Sequence, residues 1–135
     1  MLPQSRRLKA QARDTRMPLN DQLKIQAAQL APHFVPALLQ RERTVFQFRF
    51  DEGDPFYLVV TIDSFEFLPG EIDSATLTLF IDEHDTCWQL LRGSIDGMKA
   101  FMEGSYRADG NIVLSQLLLY LFKSNDPTIG YKVQD

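Results

Sequence analysis

Ala75-Thr76-Leu77-Thr78-Leu79-Phe80-Ile81 alternates between apolar and polar positions, and the stretch that follows it, Asp82-Glu83-His84-Asp85-Thr86-Cys87-Trp88-Gln89-Leu90-Leu91-Arg92-Gly93, does not. In the first segment Leu77, Leu79 and Ile81 fall on one side and Thr76 and Thr78 on the other, the period of a half-buried strand. From Asp82 the period lengthens to about 3.6, with Trp88, Leu90 and Leu91 on a helix. Asp82 is placed to cap that helix, Asp85 to complement its positive end, and Gly93 to end it. A strand running directly into a helix points to α and β elements within one domain.

Upstream the period of two persists. Ser64 to Leu68 carries Phe65 and Phe67 in alternation and closes at Pro69-Gly70. Tyr57 to Asp63 sets Leu58, Val60 and Ile62 inward, and Thr44 to Phe50 alternates Phe46, Phe48 and Phe50 with polar residues. Asp51-Glu52-Gly53-Asp54-Pro55 between them is a turn. The short connections favour antiparallel pairing, because a parallel crossover takes a dozen or more residues. From Asn20 to Gln40, Leu23, Ile25, Ala27, Ala28, Leu30, Phe34, Leu38 and Leu39 recur at helical spacing, which predicts one helix kinked near Pro32 and Pro36.

Downstream, Asp96 can cap a short helix carrying Met98, Phe101 and Met102 that stops at Gly104. Ser105 to Asp109 reads as a fifth strand with Tyr106 and Ala108 on one face. After Gly110, Asn111 caps a last helix, Ile112 to Lys123. The expected order is α-β-β-β-β-α-α-β-α, an α+β fold with a mainly antiparallel five-stranded sheet covered on one face by helices. That domain spans 19–124, preceded by a basic, flexible extension (1–18) and followed by an irregular tail (125–135) containing Pro127 and Gly130.

A chain of 135 residues that is 44% hydrophobic suits one domain with a real core. Its ten Phe are a heavy load of bulky apolar side chains that must line or fill something. The single cysteine, Cys87, excludes an intramolecular disulfide and points to a reducing cytoplasm. Arg6, Arg7, Lys9, Arg13 and Arg16 are not followed by an apolar stretch, so no secretory signal is expected. No window approaches the roughly 20 apolar residues of a membrane span. The net charge of −4 hides an asymmetry: residues 1–43 hold eight basic and three acidic residues (+5), the remainder six against fifteen (−9). A basic lead suits transient contact with an anionic membrane, whereas the acidic body argues against nucleic acid as a partner.

The last helix, Ile112-Val113-Leu114-Ser115-Gln116-Leu117-Leu118-Leu119-Tyr120-Leu121-Phe122, is apolar nearly all round and too short to span a bilayer. Its faces must meet apolar matter in the chain's own core, in a partner such as a second copy in a homodimer, or in a bound lipid.

Leu90-Leu91-Arg92-Gly93-Ser94-Ile95-Asp96-Gly97-Met98-Lys99-Ala100-Phe101-Met102-Glu103-Gly104-Ser105-Tyr106-Arg107-Ala108-Asp109-Gly110-Asn111 resembles the sterol carrier protein type 2 domain family. Shared features are a leucine-rich helix end, a glycine, a short helix with an Ala-Phe pair, a glycine, a strand, and Gly-Asn before an apolar helix. Asp73 to Asp82 is similar to that family's fourth strand, and the element order agrees from about Leu23 to Phe122. The resemblance implies a non-catalytic binding or transfer protein, with an internal hydrophobic tunnel between sheet and helices. The tunnel would hold a lipid or fatty-acyl ligand of the fatty acid, acyl-CoA, sterol or isoprenoid type, and no cofactor. Candidate lining residues are Phe48, Leu79, Trp88, Leu91, Phe101, Met102, Leu114, Leu117, Leu118 and Leu121. The alternative is a protein-interaction or dimerisation module with the same fold and a closed tunnel. The chain departs from the family where Ser105-Tyr106-Arg107-Ala108 replaces the usual lysine and branched aliphatics, and it ends Val133-Gln134-Asp135 rather than in a peroxisomal Ser-Lys-Leu.

Asp82, Glu83, His84, Asp85 and Cys87 offer metal-ligand atoms in a short span, but neighbouring helical residues diverge where zinc needs convergence. Cys87 adjoins Trp88 and Leu90, an apolar setting unsuited to a thiolate nucleophile. No catalytic or metal site is expected.

Overall fold

The computed structural model describes residues 17–122. The expected tail 125–135, and all but the last two residues of the expected extension 1–18, lie outside the described residues. Helix α1 (Leu19–Leu30) leads by way of a 3₁₀ turn (Ala31–His33) to strands β1 (Arg43–Glu52), β2 (Phe56–Thr61), β3 (Phe65–Pro69) and β4 (Leu77–Glu83). Helices α2 (His84–Arg92) and α3 (Gly97–Met102), strand β5 (Tyr106–Gly110) and helix α4 (Ile112–Leu121) complete the domain. The single kinked helix expected over 20–40 therefore stops at Leu30. Pro32 lacks the N–H that would continue the ladder, and beyond the 3₁₀ turn Ala37 and Gln40 adopt left-handed φ angles of 65° and 54°. This linker is stitched into the fold instead: Val35 N donates to Leu121 O (2.9 Å) and Ala37 N to Ile62 O (2.8 Å).

The sheet order is β3-β2-β1-β4-β5. β1–β2, β2–β3 and β4–β5 pair antiparallel, but β1 and β4 are parallel, so the sheet is mixed. The inference from short connections holds for the two hairpins and fails after β3. There the link from Gly70 to Thr76 carries the chain past β2 and β1 to the far side of β1. Gln47, a polar position of β1, holds this link: buried at 3%, it accepts from Ile72 N (2.8 Å) and donates to Gly70 O and Phe56 O (both 3.1 Å). Thr76 adds a second clasp, Oγ1 accepting from Val45 N (2.9 Å).

The opposite face is the core face. Phe67, Leu58, Phe46 and Leu77 stand side by side across four strands, with Phe56, Phe48 and Leu79 in the next row. Leu23 and Leu30 of α1, Leu90 and Leu91 of α2, and Leu114, Leu118 and Leu121 of α4 join them in one buried cluster. Ile62, expected inside β2, lies beyond its end and is 45% exposed. Asp82 is still in β4 and its Oδ1 accepts from the adjacent Glu83 N (2.6 Å), so Glu83 takes the N-cap position and α2 starts one residue later than expected, without a side-chain cap. Asp96, Asn111 and Gly93 do what their positions suggested: Asp96 Oδ1 accepts from Met98 N (3.0 Å) and Lys99 N (3.1 Å), Asn111 Oδ1 from Leu114 N (3.1 Å), and Gly93 ends α2 at φ 76°.

Candidate functional site

α4 buries Leu114, Ser115, Leu118 and Leu121 and leaves Ile112, Val113, Gln116 and Tyr120 exposed. Ser115 sits on the buried side without cost because its Oγ donates to Ile112 O (2.7 Å). The helix is apolar on both sides, yet among the described residues only its inner side is covered.

Behind that inner side lies a cavity of about 10 Å³ lined by Phe48, Leu79, Ile81, Cys87, Leu90, Leu91, Leu118 and Leu119. A lipid site measures roughly 300–1,000 Å³. Among the described residues, the cavity behind α4 is far smaller than the tunnel that the resemblance implied. The aromatic side chains occupy the space themselves. Phe56 stacks on Trp88 (centroids 5.1 Å apart, 6° between planes), Trp88 meets Phe67 edge-on (5.3 Å), and Phe122 closes the end of the core against Phe65 (4.7 Å) and Phe34 (5.8 Å). At the other end Tyr106, 4% exposed, packs against Phe101 (5.5 Å).

Of the ten expected lining residues, Phe48, Leu79, Leu91 and Leu118 converge on the cavity. Trp88 belongs to the aromatic stack, Leu114 and Leu121 are buried in the surrounding core, and Leu117 packs partly against it. Phe101 and Met102 lie on the surface instead, 39% and 78% exposed, because α3 buries only Ala100. Ile81, Cys87, Leu90 and Leu119 also line the cavity; the spacing puts Ile81 inward beside Leu79, but it does not distinguish these four from the apolar residues that fill the core.

In front of α4 a groove of about 470 Å³ runs between the α2–α3 connection and α4, lined by Leu90, Gly93, Ser94, Ile95, Asp96, Gly97, Met98, Gln116, Leu119 and Tyr120. Leu90 and Leu119 line both spaces.

Cys87 is fully buried, and desolvation raises its thiol well above the ordinary range, so it stays protonated. His84 is engaged between Phe50 (4.5 Å) and Phe56 (5.3 Å), its Nε2 donating to Asp54 O (2.8 Å). Among the described residues no three His, Cys, Asp or Glu side chains group as a metal site. No described helix is long and apolar enough to cross a membrane.

No protein-family model and no curated protein matches the sequence. Solved structures do match the fold. The chain superposes on the UbiJ-SCP2 ubiquinone synthesis protein with a TM-score of 0.59 at 13% identity, covering 73% of this chain and 89% of that one. It superposes on palmitated SCP2L2 from Aedes aegypti with a TM-score of 0.50 at 17% identity, covering 71% and 86%. This is the sterol carrier protein 2 fold. The same fold forms part of the sec-alkylsulfatase Pisa1 from Pseudomonas sp. (TM-score 0.53, 18% identity, 64% of this chain), of which this chain spans only 14%.

Proposed function

We propose that this protein binds or transfers a lipid-like ligand of the fatty acid, acyl-CoA, sterol or isoprenoid type behind α4, without chemistry of its own. The carrying observation is that a small, wholly apolar cavity under α4 shares two lining residues, Leu90 and Leu119, with a large groove. Apolar burial of about 25 cal/mol per Å² then supplies affinity with modest selectivity. Because the cavity is far smaller than a lipid chain, the ligand must displace α4 outward. α4 is suited to that: its outer residues Val113 and Tyr120 are 63% and 53% exposed, and the Val35 N to Leu121 O bond tethers its C-terminal end. The fold of a palmitated protein supports an acyl chain as one class of guest.

The alternative, a homodimer seam along Leu117 and Leu121, is not favoured, since Leu121 is fully buried within one chain. We also assign to the basic segment 1–18 a transient contact with anionic membrane, and to the protein a reducing, cytoplasmic setting consistent with its one buried thiol. Displacement of a fluorescent fatty acid, with native mass spectrometry for stoichiometry, tests the main reading. One ligand per chain at micromolar concentration is the expected result; neither displacement nor an adduct at that concentration refutes it.

A further inference from the structure

We propose that the Thr44 hydroxyl is the polar anchor of the lipid site, holding a hydroxyl or carbonyl oxygen of a long-chain guest whose hydrocarbon lies along β1 toward the cavity behind α4. This rests on the lipid-binding reading above and deepens it.

Three polar side chains are buried among the described residues: Thr44, Gln47 and Ser115. Gln47 bonds to the β3–β4 crossover and Ser115 Oγ donates to Ile112 O, so both are satisfied. Thr44 is 0% exposed and its Oγ1 has no partner. A hydroxyl carries one donor and two acceptor lone pairs, and leaving all of them unused in the core costs stability. Valine has nearly the same shape without that cost, so packing does not explain the hydroxyl. An oxygen of the guest supplies the missing partner.

The position suits a lipid. Thr44 shares its side of β1 with Phe46 and Phe48, because side chains two apart on a strand point the same way. Phe48 lines the cavity with Leu79, Leu91 and Leu118. Thr44 and Phe48 are four residues apart along the strand, about 13 Å, a distance that an alkyl chain spans. On the core face Thr44 pairs with Val60, and Val60 with Phe65. Phe65 is covered by Phe122 (4.7 Å) and Phe34 (4.9 Å), and Val35 N holds Leu121 O beside them. The hydroxyl therefore lies in the strand row whose edge is covered at the tethered end of α4. The outward movement of α4 proposed above would uncover β1 from Phe48 to Thr44, a path that is apolar along its length and ends on an open hydrogen-bonding group.

Displacement of cis-parinaric acid from the full chain by hexadecanol, and by heptadecane as its oxygen-free equivalent, tests the anchor. In Thr44→Val the inhibition constant of hexadecanol should rise about fivefold while that of heptadecane is unchanged. Thr44→Ser, which restores the hydroxyl, should bind hexadecanol as tightly as the parent. Urea titration should find Thr44→Val at least as stable as the parent, which separates a lost contact from lost structure. If Thr44→Val fails to fold, Thr44→Ala is read in the same way. Hexadecanol bound equally by parent and Thr44→Val, both lipids weakened alike, or a bound probe that hexadecanol does not displace overturns the anchor and leaves lipid binding intact. A less stable Thr44→Val would mean that the hydroxyl is already engaged in the free protein, which also overturns it. Binding of neither the probe nor either lipid overturns this proposal and the lipid reading together.

Discussion

Thr44 stands in β1 on the core face, fully buried, and its Oγ1 has no hydrogen-bond partner. A buried hydroxyl left unpaired costs about 1–3 kcal/mol. Thr44→Val keeps shape and strand preference while deleting the hydroxyl, so it should stabilise the protein by about 1 kcal/mol in urea titrations. A loss of similar size would show that the hydroxyl has a partner in solution. Cys87 gives a pH-dependent prediction. Its folded pKa is raised by burial, so the thiol stays neutral while the unfolded chain ionises near pH 8.5. Below that pH both states hold the proton and stability is unaffected; above it the unfolded state gains and folding stability falls. The parent should therefore lose more stability between neutral and alkaline pH than Cys87→Ala does, and its thiol should resist Ellman's reagent until denatured. Parallel stability-against-pH curves for the two proteins would contradict this.

At the scale of elements, Gln47 makes most of the side-chain hydrogen bonds that hold the crossover from β3 to β4. Gln47→Ala removes the bonds to Ile72 N and to the carbonyls of Phe48, Phe56 and Gly70 and should cost about 2–3 kcal/mol, with earlier proteolysis in the 70–76 link than elsewhere. Unchanged stability would mean that Thr76 alone holds the link. In α4, Leu118→Ala should cost about 2–5 kcal/mol whereas Val113→Lys should stay within about 0.5 kcal/mol, as thermal or urea unfolding would show. These elements also show how much of the fold is legible in the sequence. The alternation in β1 to β4 and the caps at Asp96 and Asn111 are local signals, and they place the elements to within a few residues. The parallel β1–β4 pair is not local: it depends on where a short link lands, and in sequence Gln47 looks like any outward-facing polar residue of a strand. In the site, leucine-rich spacing shows that α4 is covered on its inner side. It cannot separate the side chains that fill the interior, such as Trp88 and Phe122, from those that border a pocket, such as Leu119, because both are simply apolar. Phe101 and Met102 are misplaced for a related reason, since a six-residue helix need bury only one position.

For the whole molecule, Phe46, Phe48, Phe56, Phe67 and Phe122 fill the core with aromatic side chains, and the cavity behind α4 measures about 10 Å³. Lipid binding by such a molecule is a conformational change, in which burial of the guest must offset the core packing that α4 gives up as it moves. The charge asymmetry, +5 ahead of residue 44 and −9 after it, would direct any membrane contact to the basic end, and binding to anionic vesicles should weaken as salt rises. The decisive measurement is a structure of the protein saturated with a long-chain lipid. The account predicts that α4 is displaced outward, that the pocket grows to a few hundred Å³ around the chain, and that Phe48, Leu79, Leu91 and Leu118 contact it. A lipid bound elsewhere, with the space behind α4 unchanged, would contradict it.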